Sequence, residues 1–152
     1  MKNIKSIDPI SLETKELHKI LLSSIAPRPI AFASTVDSNG NVNLSPFSYF
    51  NVFSSNPPIL IFSPSRRVRD NTTKHTLENA KETKEVVINV VNFPIVEQMS
   101  KSSIEYEKGV NEFIETGLTQ VKSVLVKPPR AVSYTHLRAH ETLRYLVCRL
   151  LL

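Results

Sequence analysis

Glycine is almost missing from this chain: Gly40, Gly109 and Gly117 are the only three in 152 residues. They stand too far apart to form a G-x-G-x-x-G dinucleotide loop or a Walker A phosphate loop, and no G-x-S-x-G nucleophile elbow exists. Cysteine is scarcer still. Cys148 stands alone, which excludes an internal disulfide framework. Up to residue 130 there is no cysteine, and His18 and His75 are the only histidines. A Cys/His nucleophile system or a multi-histidine metal site therefore lacks its parts. No run approaches the ~18 consecutive apolar residues of a membrane helix. Met1-Lys2-Asn3-Ile4 leads into polar sequence and not into an apolar signal core, so the cytoplasm is the expected location, with no membrane partner. The length is that of one domain with a sizeable core.

Proline, by contrast, is plentiful, and it brackets the stretch around which the rest is organised, Ala26 to Pro58. Pro27 and Pro29 confine Arg28 to extended backbone and lead into a strand. Ile30, Phe32, Ser34 and Val36 alternate with Ala31, Ala33 and Thr35, a period of two. Asp37-Ser38-Asn39-Gly40 is hairpin chemistry, because Asn and Gly tolerate the positive φ of a tight turn. Beyond it Phe47, Tyr49, Phe50 and Phe53 are interleaved with Ser45, Ser48, Asn51, Ser54 and Ser55. Flat apolar faces beside short hydrogen-bonding groups suit a planar, heteroatom-rich ligand. Arg28 reads equally as a binder of an acidic ligand group and as a surface ion-pair partner.

The remaining chain gives short elements. Ile7–Leu22 holds a short amphipathic segment of undecided type, with His18 as a surface or satisfied core side chain. Pro57 and Pro58 break the second arm, Ile59–Phe62 is a buried strand, and Ser63-Pro64-Ser65 ends it. A basic loop, Arg66 to Lys74, feeds a helix at about Thr73–Lys84, capped by Thr72 or Thr73 and packed through Leu77 and Ala80. Arg67, Lys74 and the Thr hydroxyls at a helix N-terminus make a plausible phosphate cradle, although a charge run is ordinarily a solvated surface. Glu85–Val91 reads as the clearest core strand, followed by a short helix, Ile95–Lys101, with Met99 as core filler. Ser102–Thr119 is an excursion, a lid or dimer-facing loop, whose Glu105, Glu107, Glu112 and Glu115 read as a solvated acidic surface. Val121–Val126 is a last strand. With no βαβ alternation, a small, mainly β barrel with helical insertions fits best.

The run PRPIAFASTVDSNGNVNLSPFSYFNVFSSNPPILIFSPSRR, then KHTLENAKET, EYEKGVNEFIETGLT and VKPPR, strongly resembles the flavin reductase-like family, FMN-binding split barrels of the flavoredoxin type, over about Ile7 to Arg130. The resemblance implies a Greek-key split β-barrel that binds FMN. It also implies a homodimer with the flavin near the subunit interface, and hydride or electron transfer from NAD(P)H to an acceptor. It carries cofactor binding onto Arg28, Ser45, Phe47, Ser48, Tyr49, Phe50, Asn51, Ser63, Arg67, Thr73, Lys74 and Thr76. No side chain is assigned as catalytic, since the reactivity is the flavin's. His75 stands where close relatives often carry Asp.

From Ala131 to Leu152 the sequence departs from the family pattern, so 1–130 reads as a C-terminally truncated split-barrel domain and 131–152 as an artefactual, non-family tail. A C-terminal helix is the physical alternative, since Leu137, Leu143, Leu146 and Leu150 have near-helical spacing. His136 and His140 share a helical face there, but Leu137 occupies the place where a metalloprotease helix puts its Glu, so no metal is expected. The tail holds three Arg against one Glu, which leaves 16 basic and 13 acidic side chains before it. That weak field disfavours the alternative of a small basic barrel binding single-stranded nucleic acid. An inactive truncated fragment with an open sheet edge is the third reading.

Overall fold

The computed structural model describes residues 7–132; the expectations for the tail beyond Val132, including those for His136 and His140, lie outside them. At its centre is β1 (Ala31–Val36), paired antiparallel on one side with β2 (Val42–Phe47) and on the other with β5 (Val87–Val90). The hairpin forms where Asp37-Ser38-Asn39-Gly40 predicts it. Asp37 Oδ1 accepts the backbone N–H groups of Asn39 and Asn41 at 2.9 and 2.8 Å, Oδ2 accepts Asn41 Nδ2 at 2.8 Å, and Gly40 takes φ 86°. The Asn41 side chain, with those two backbone groups, holds the Asp37 carboxyl below its usual value. Val36 thereby faces Val42 and Ala31 faces Phe47.

The alternation in β1 suggests one wet face, yet all six of its residues are buried. Each face has its own cover. On one, α2 (His75–Thr83) lies across β1 and β2, with Asn79 Nδ2 donating to Thr35 Oγ1 at 3.2 Å and Asn43 Nδ2 to Thr76 Oγ1 at 3.0 Å. Ala31 and Ala33 join Phe47 and Phe62 in a core cluster on that side. On the other, Phe32 and Leu44 pack with Ile95, Phe113, Leu118 and Ala131, and Met99 fills in against them as expected.

The helices are α1 (Thr14–Ser24), α2, α3 (Val96–Lys101, continuing a 3-10 turn at Phe93–Ile95) and α4 (Glu112–Thr116). β3 (Phe50–Ser55) and β4 (Pro58–Phe62) form a second ladder with a bulge between Val52 and Ser54, and β6 (Thr119–Val121) with β7 (Arg130–Val132) a third. Among the described residues no helix is long and apolar enough to cross a membrane.

Several expectations are corrected. The Ile59–Phe62 run is half-buried apart from Phe62, because β4 has only β3 beside it. β5 is an edge strand of its ladder with Asn89, not a valine, as its buried residue; Asn89 Nδ2 donates to Phe32 O and its Oδ1 accepts Ala131 N–H, both at 2.9 Å. The strand expected over Val121–Val126 is instead β6, which stops at Val121, and Val124 and Leu125 are exposed in the following loop. Neither Thr72 nor Thr73 caps α2: Lys74 occupies that position without a side-chain cap, and Thr73 Oγ1 donates instead to Glu78 Oε1 at 2.6 Å. The second half of the Ser102–Thr119 excursion is no lid, since α4 drives Phe113 into the core.

Glu112 is the sharpest correction. It is 6% exposed, not solvated, and its Oε2 accepts the Leu44 backbone N–H at 2.9 Å. That N–H points off the free edge of β2, so the carboxylate stands where a neighbouring strand would. Burial pushes the Glu112 carboxyl above its ordinary 4.5, against the pull of that hydrogen bond. A raised folded pKa means that the folded chain holds the proton more tightly than the unfolded one. Its favourable contribution is present below the unfolded value and is lost as pH rises through the folded one. Glu112→Gln keeps an acceptor for Leu44 and removes the charge. Its thermal midpoint is expected to gain on the wild type as pH rises through that window, whereas Glu112→Ala, leaving the N–H unpaired, costs about 1–3 kcal/mol. A Gln-minus-wild-type difference that is flat with pH contradicts the assignment.

Candidate functional site

α2 runs over its sheet face in a fixed direction. Thr76 meets Asn43, Asn79 meets Thr35, and at its far end Glu82 Oε2 accepts the Ser38 N–H at 3.4 Å by the hairpin tip. Its N-terminus therefore sits over the end of β2, where Lys74 Nζ lies 5.2 Å from the centre of the Phe47 ring. The first turn of a helix has no intrahelical acceptors for its N–H groups and carries partial positive charge.

The basic loop folds onto itself just ahead of that turn. Arg67 N donates to Thr72 O and Asn71 N to Arg67 O, both at 2.9 Å, with Asn71 at φ 56°. Asp70 Oδ1 accepts both the N–H (3.0 Å) and the hydroxyl (2.6 Å) of Thr72, and that hydroxyl leads in holding its carboxyl below the usual range. The Arg67 guanidinium is drawn inward: Nη1 donates to Thr72 Oγ1 at 3.1 Å and to Thr73 O, and Nη2 lies 3.5 Å from His75 Nε2. Burial first, and Arg67 second, depress the pKa values of both Lys74 and His75. Half-buried Arg67 and Lys74 thus bring like charge to a helix N-terminus, an arrangement that an anion would relieve.

The expected site residues fall into groups. Phe47, Arg67, Thr73, Lys74 and Thr76 gather at the N-terminus of α2, with Ser45 half-buried on β2 beside Asn43 and Phe47. Ser48 and Tyr49 form the corner between β2 and β3, and Phe50 and Asn51 open β3 opposite Phe62 and Ile61. Ser63 is exposed, but its N–H donates to Tyr49 O at 2.9 Å and so fixes that corner. Phe47 is itself buried, its ring 5.3 Å from that of Phe62, and serves as a floor. Arg28 stands apart from the loop, with Nη1 donating to the carbonyls of Leu22 (2.6 Å) and Ile25 at the end of α1.

The geometry adds three residues. His18 Nδ1 lies 3.1 Å from the Tyr49 hydroxyl and so ties α1 to the corner. Phe62 completes the floor. Glu105 pairs with Arg67 and Arg69 from a segment far along the chain, for which no local pattern gives a signal. A cavity of about 450 Å³ lies elsewhere, at the hairpin tip, lined by Asp37, Ser38, Gly40, Lys122 and Lys127 among others; none of the expected site residues lines it. Among the described residues no group of three His, Cys, Asp or Glu side chains could hold a metal ion.

Ladders of short strands with inserted helices thus bring a cluster of cations at a helix start beside an aromatic corner. Residues 22–151 match the flavin reductase like domain, and the chain belongs to that family. The match runs on through the stretch that the sequence reading sets apart as a tail. Nitrilotriacetate monooxygenase component B from Bacillus cereus is similar in structure, with TM-score 0.80 and 30% identity over 86% of this chain and 64% of its own. A Shewanella frigidimarina protein, described as having a split barrel domain of flavin reductase type, gives TM-score 0.63 and 32% identity over 80% of this chain and 59% of its own. An uncharacterized protein of Aquifex aeolicus is 44% identical over 75% of this chain and 58% of its own length. The chain spans a little over half the length of the curated relatives that it matches.

The hydrogen bond between Asn43 and Thr76 holds the α2 N-terminus in place. Asn43→Ala is expected to cost about 1–3 kcal/mol, and a double-mutant cycle with Thr76→Val to show about 0.5–1.5 kcal/mol of coupling in urea unfolding. Strict additivity contradicts the contact.

Proposed function

We propose that the chain binds FMN, with the phosphate at the Arg67–Thr76 loop and the ring system at the corner Ser45–Asn51, and passes hydride or electrons from NAD(P)H to an acceptor. The observation that carries this reading is the gathering of two cations at the start of α2: Lys74 lies over the Phe47 ring at the entrance to that corner, and the Arg67 guanidinium is turned inward onto Thr72, Thr73 and His75. The donor set fits the group. Arg67 and Lys74 match phosphate charge, Thr73 and the first-turn N–H groups match its oxygens, and Ser45, Ser48 and Asn51 supply short partners for ring heteroatoms. A bound flavin supplies the hydride-accepting centre. The protein's share is to hold the phosphate, orient the ring and keep water off one face, tasks that need no acid–base side chain.

The Bacillus cereus neighbour, a monooxygenase component by its description, supports the redox reading. Val52 and Phe53 are 64% and 63% exposed on β3, next to the corner, and suit contact with a second copy, in line with a homodimer. A nucleic-acid reading is disfavoured by the weak field of 16 basic against 13 acidic side chains up to residue 130.

FMN is expected to be retained through gel filtration and to bleach on anaerobic addition of NADH or NADPH. Arg67→Ala and Lys74→Ala should each weaken FMN by about 10–100-fold, the worth of one hydrogen bond to a charged group, while leaving riboflavin affinity nearly unchanged. Equal losses for both flavins would place the phosphate elsewhere, and a colourless, folded protein would remove the flavin reading.

A further inference from the structure

The loop that recognises phosphate in the reading above is already occupied by an anion from the chain itself. Glu105, between α3 and α4, sets Oε1 3.8 Å from Arg67 Nε and Oε2 3.6 Å from Arg69 Nη2. Three residues on, Lys108 Nζ lies 3.8 Å from Glu78 Oε2, and the other oxygen of Glu78 accepts the Thr73 hydroxyl. The segment is thus held against the loop and the first turn of α2 by three ionic contacts, two from Glu105 and one of opposite polarity from Lys108.

The position of Glu105 is specific. Arg67 spends Nη1 on Thr72 and Thr73 and turns Nη2 towards His75, so Nε is the edge left for an oxyanion, and Glu105 lies there. The Nε edge of a guanidinium is one that phosphate and carboxylate oxygens share. Both separations exceed hydrogen-bonding distance, and the Glu105 side chain is 43% exposed against 15% for Arg67. A weakly held, accessible carboxylate therefore neutralises a well-anchored cation, the arrangement expected of a group that gives way to a ligand of higher charge.

We propose that Glu105 is a built-in competitor for the anion site, occupying the Arg67 edge when the ligand is absent and setting how tightly a phosphate monoester is held. The inference rests on the phosphate reading of the Arg67–Thr76 loop. It makes binding reversible by design: the phosphate gains Arg67 only by displacing Glu105, and on release Glu105 returns.

The test compares wild type, Glu105→Gln and Glu107→Gln, the last an exposed acid nearby that makes the same change in net charge. FMN and riboflavin affinities are read by fluorescence titration. Glu105→Gln is expected to tighten FMN by about two- to fivefold, the range of a partly exposed ion pair, with riboflavin unchanged and Glu107→Gln like wild type. Weaker or unchanged FMN binding in Glu105→Gln, or an equal gain in Glu107→Gln, overturns the proposal. Inorganic phosphate, read by its stabilisation of thermal unfolding, separates this from the flavin reading. If wild type takes up no flavin, that reading fails, yet a larger phosphate shift in Glu105→Gln than in the other two still upholds competition, and equal shifts in all three reject it.

Discussion

Burying β1 on both faces is the constraint from which the architecture follows. Its six residues include Ser34 and Thr35, whose hydroxyls need partners once water is gone. Thr35 finds Asn79 of α2, and Ser34 donates to the Pro129 carbonyl on the opposite side. Each cover is therefore registered by a polar contact as well as by apolar packing. Apolar packing alone would tolerate sliding; a buried hydrogen bond does not, because an unmatched partner is costly. The pairing of Asn43 with Thr76 adds a second fixed point, and two points on one helix set its direction.

That direction has an electrostatic consequence. With α2 pinned, its N-terminus falls over Phe47, and the chain entering it must bring Lys74 and the Arg67 loop to the same place. Asp70 and Thr72 shape the loop so that Arg67 turns inward against Thr72, Thr73 and His75. Partial burial costs these groups hydration and the Arg67 charge repels them, which is why Lys74 and His75 both favour their neutral forms more than usual. Within the chain the Glu105 carboxylate stands near Arg67, and Glu78 pairs with Lys108 and accepts the Thr73 hydroxyl. Under the proposed reading, binding strength is a difference between two anions and not the full attraction of one.

Much of this could be read from local chemistry. The β1–β2 hairpin was legible because Asp37, Asn39, Gly40 and Asn41 encode the turn by themselves, and α2 because Leu77 and Ala80 mark its inner face. The basic loop was legible as a charge pattern; its reading as a phosphate site belongs to the proposed function. What could not be read depends on partners distant in sequence. Valine-rich β5 looks like core by composition, but only its place at the edge of a ladder decides that Asn89 is buried and Val90 is not. Glu112 looks like one more acid in an acidic run until β2 presents a free edge N–H to it. Glu105 acquires meaning only when the chain brings it back to residue 67. Lys74 as the α2 cap position, in place of Thr72 or Thr73, reflects Thr73 being drawn to Glu78 instead.

The most direct test of the account is amide hydrogen exchange of the protein with and without FMN. The account predicts slower exchange at Thr72–Thr76 and at Phe47–Asn51, with no change around the hairpin-tip cavity at Ser38–Val42. Protection confined to that cavity, or none at the start of α2, would contradict it.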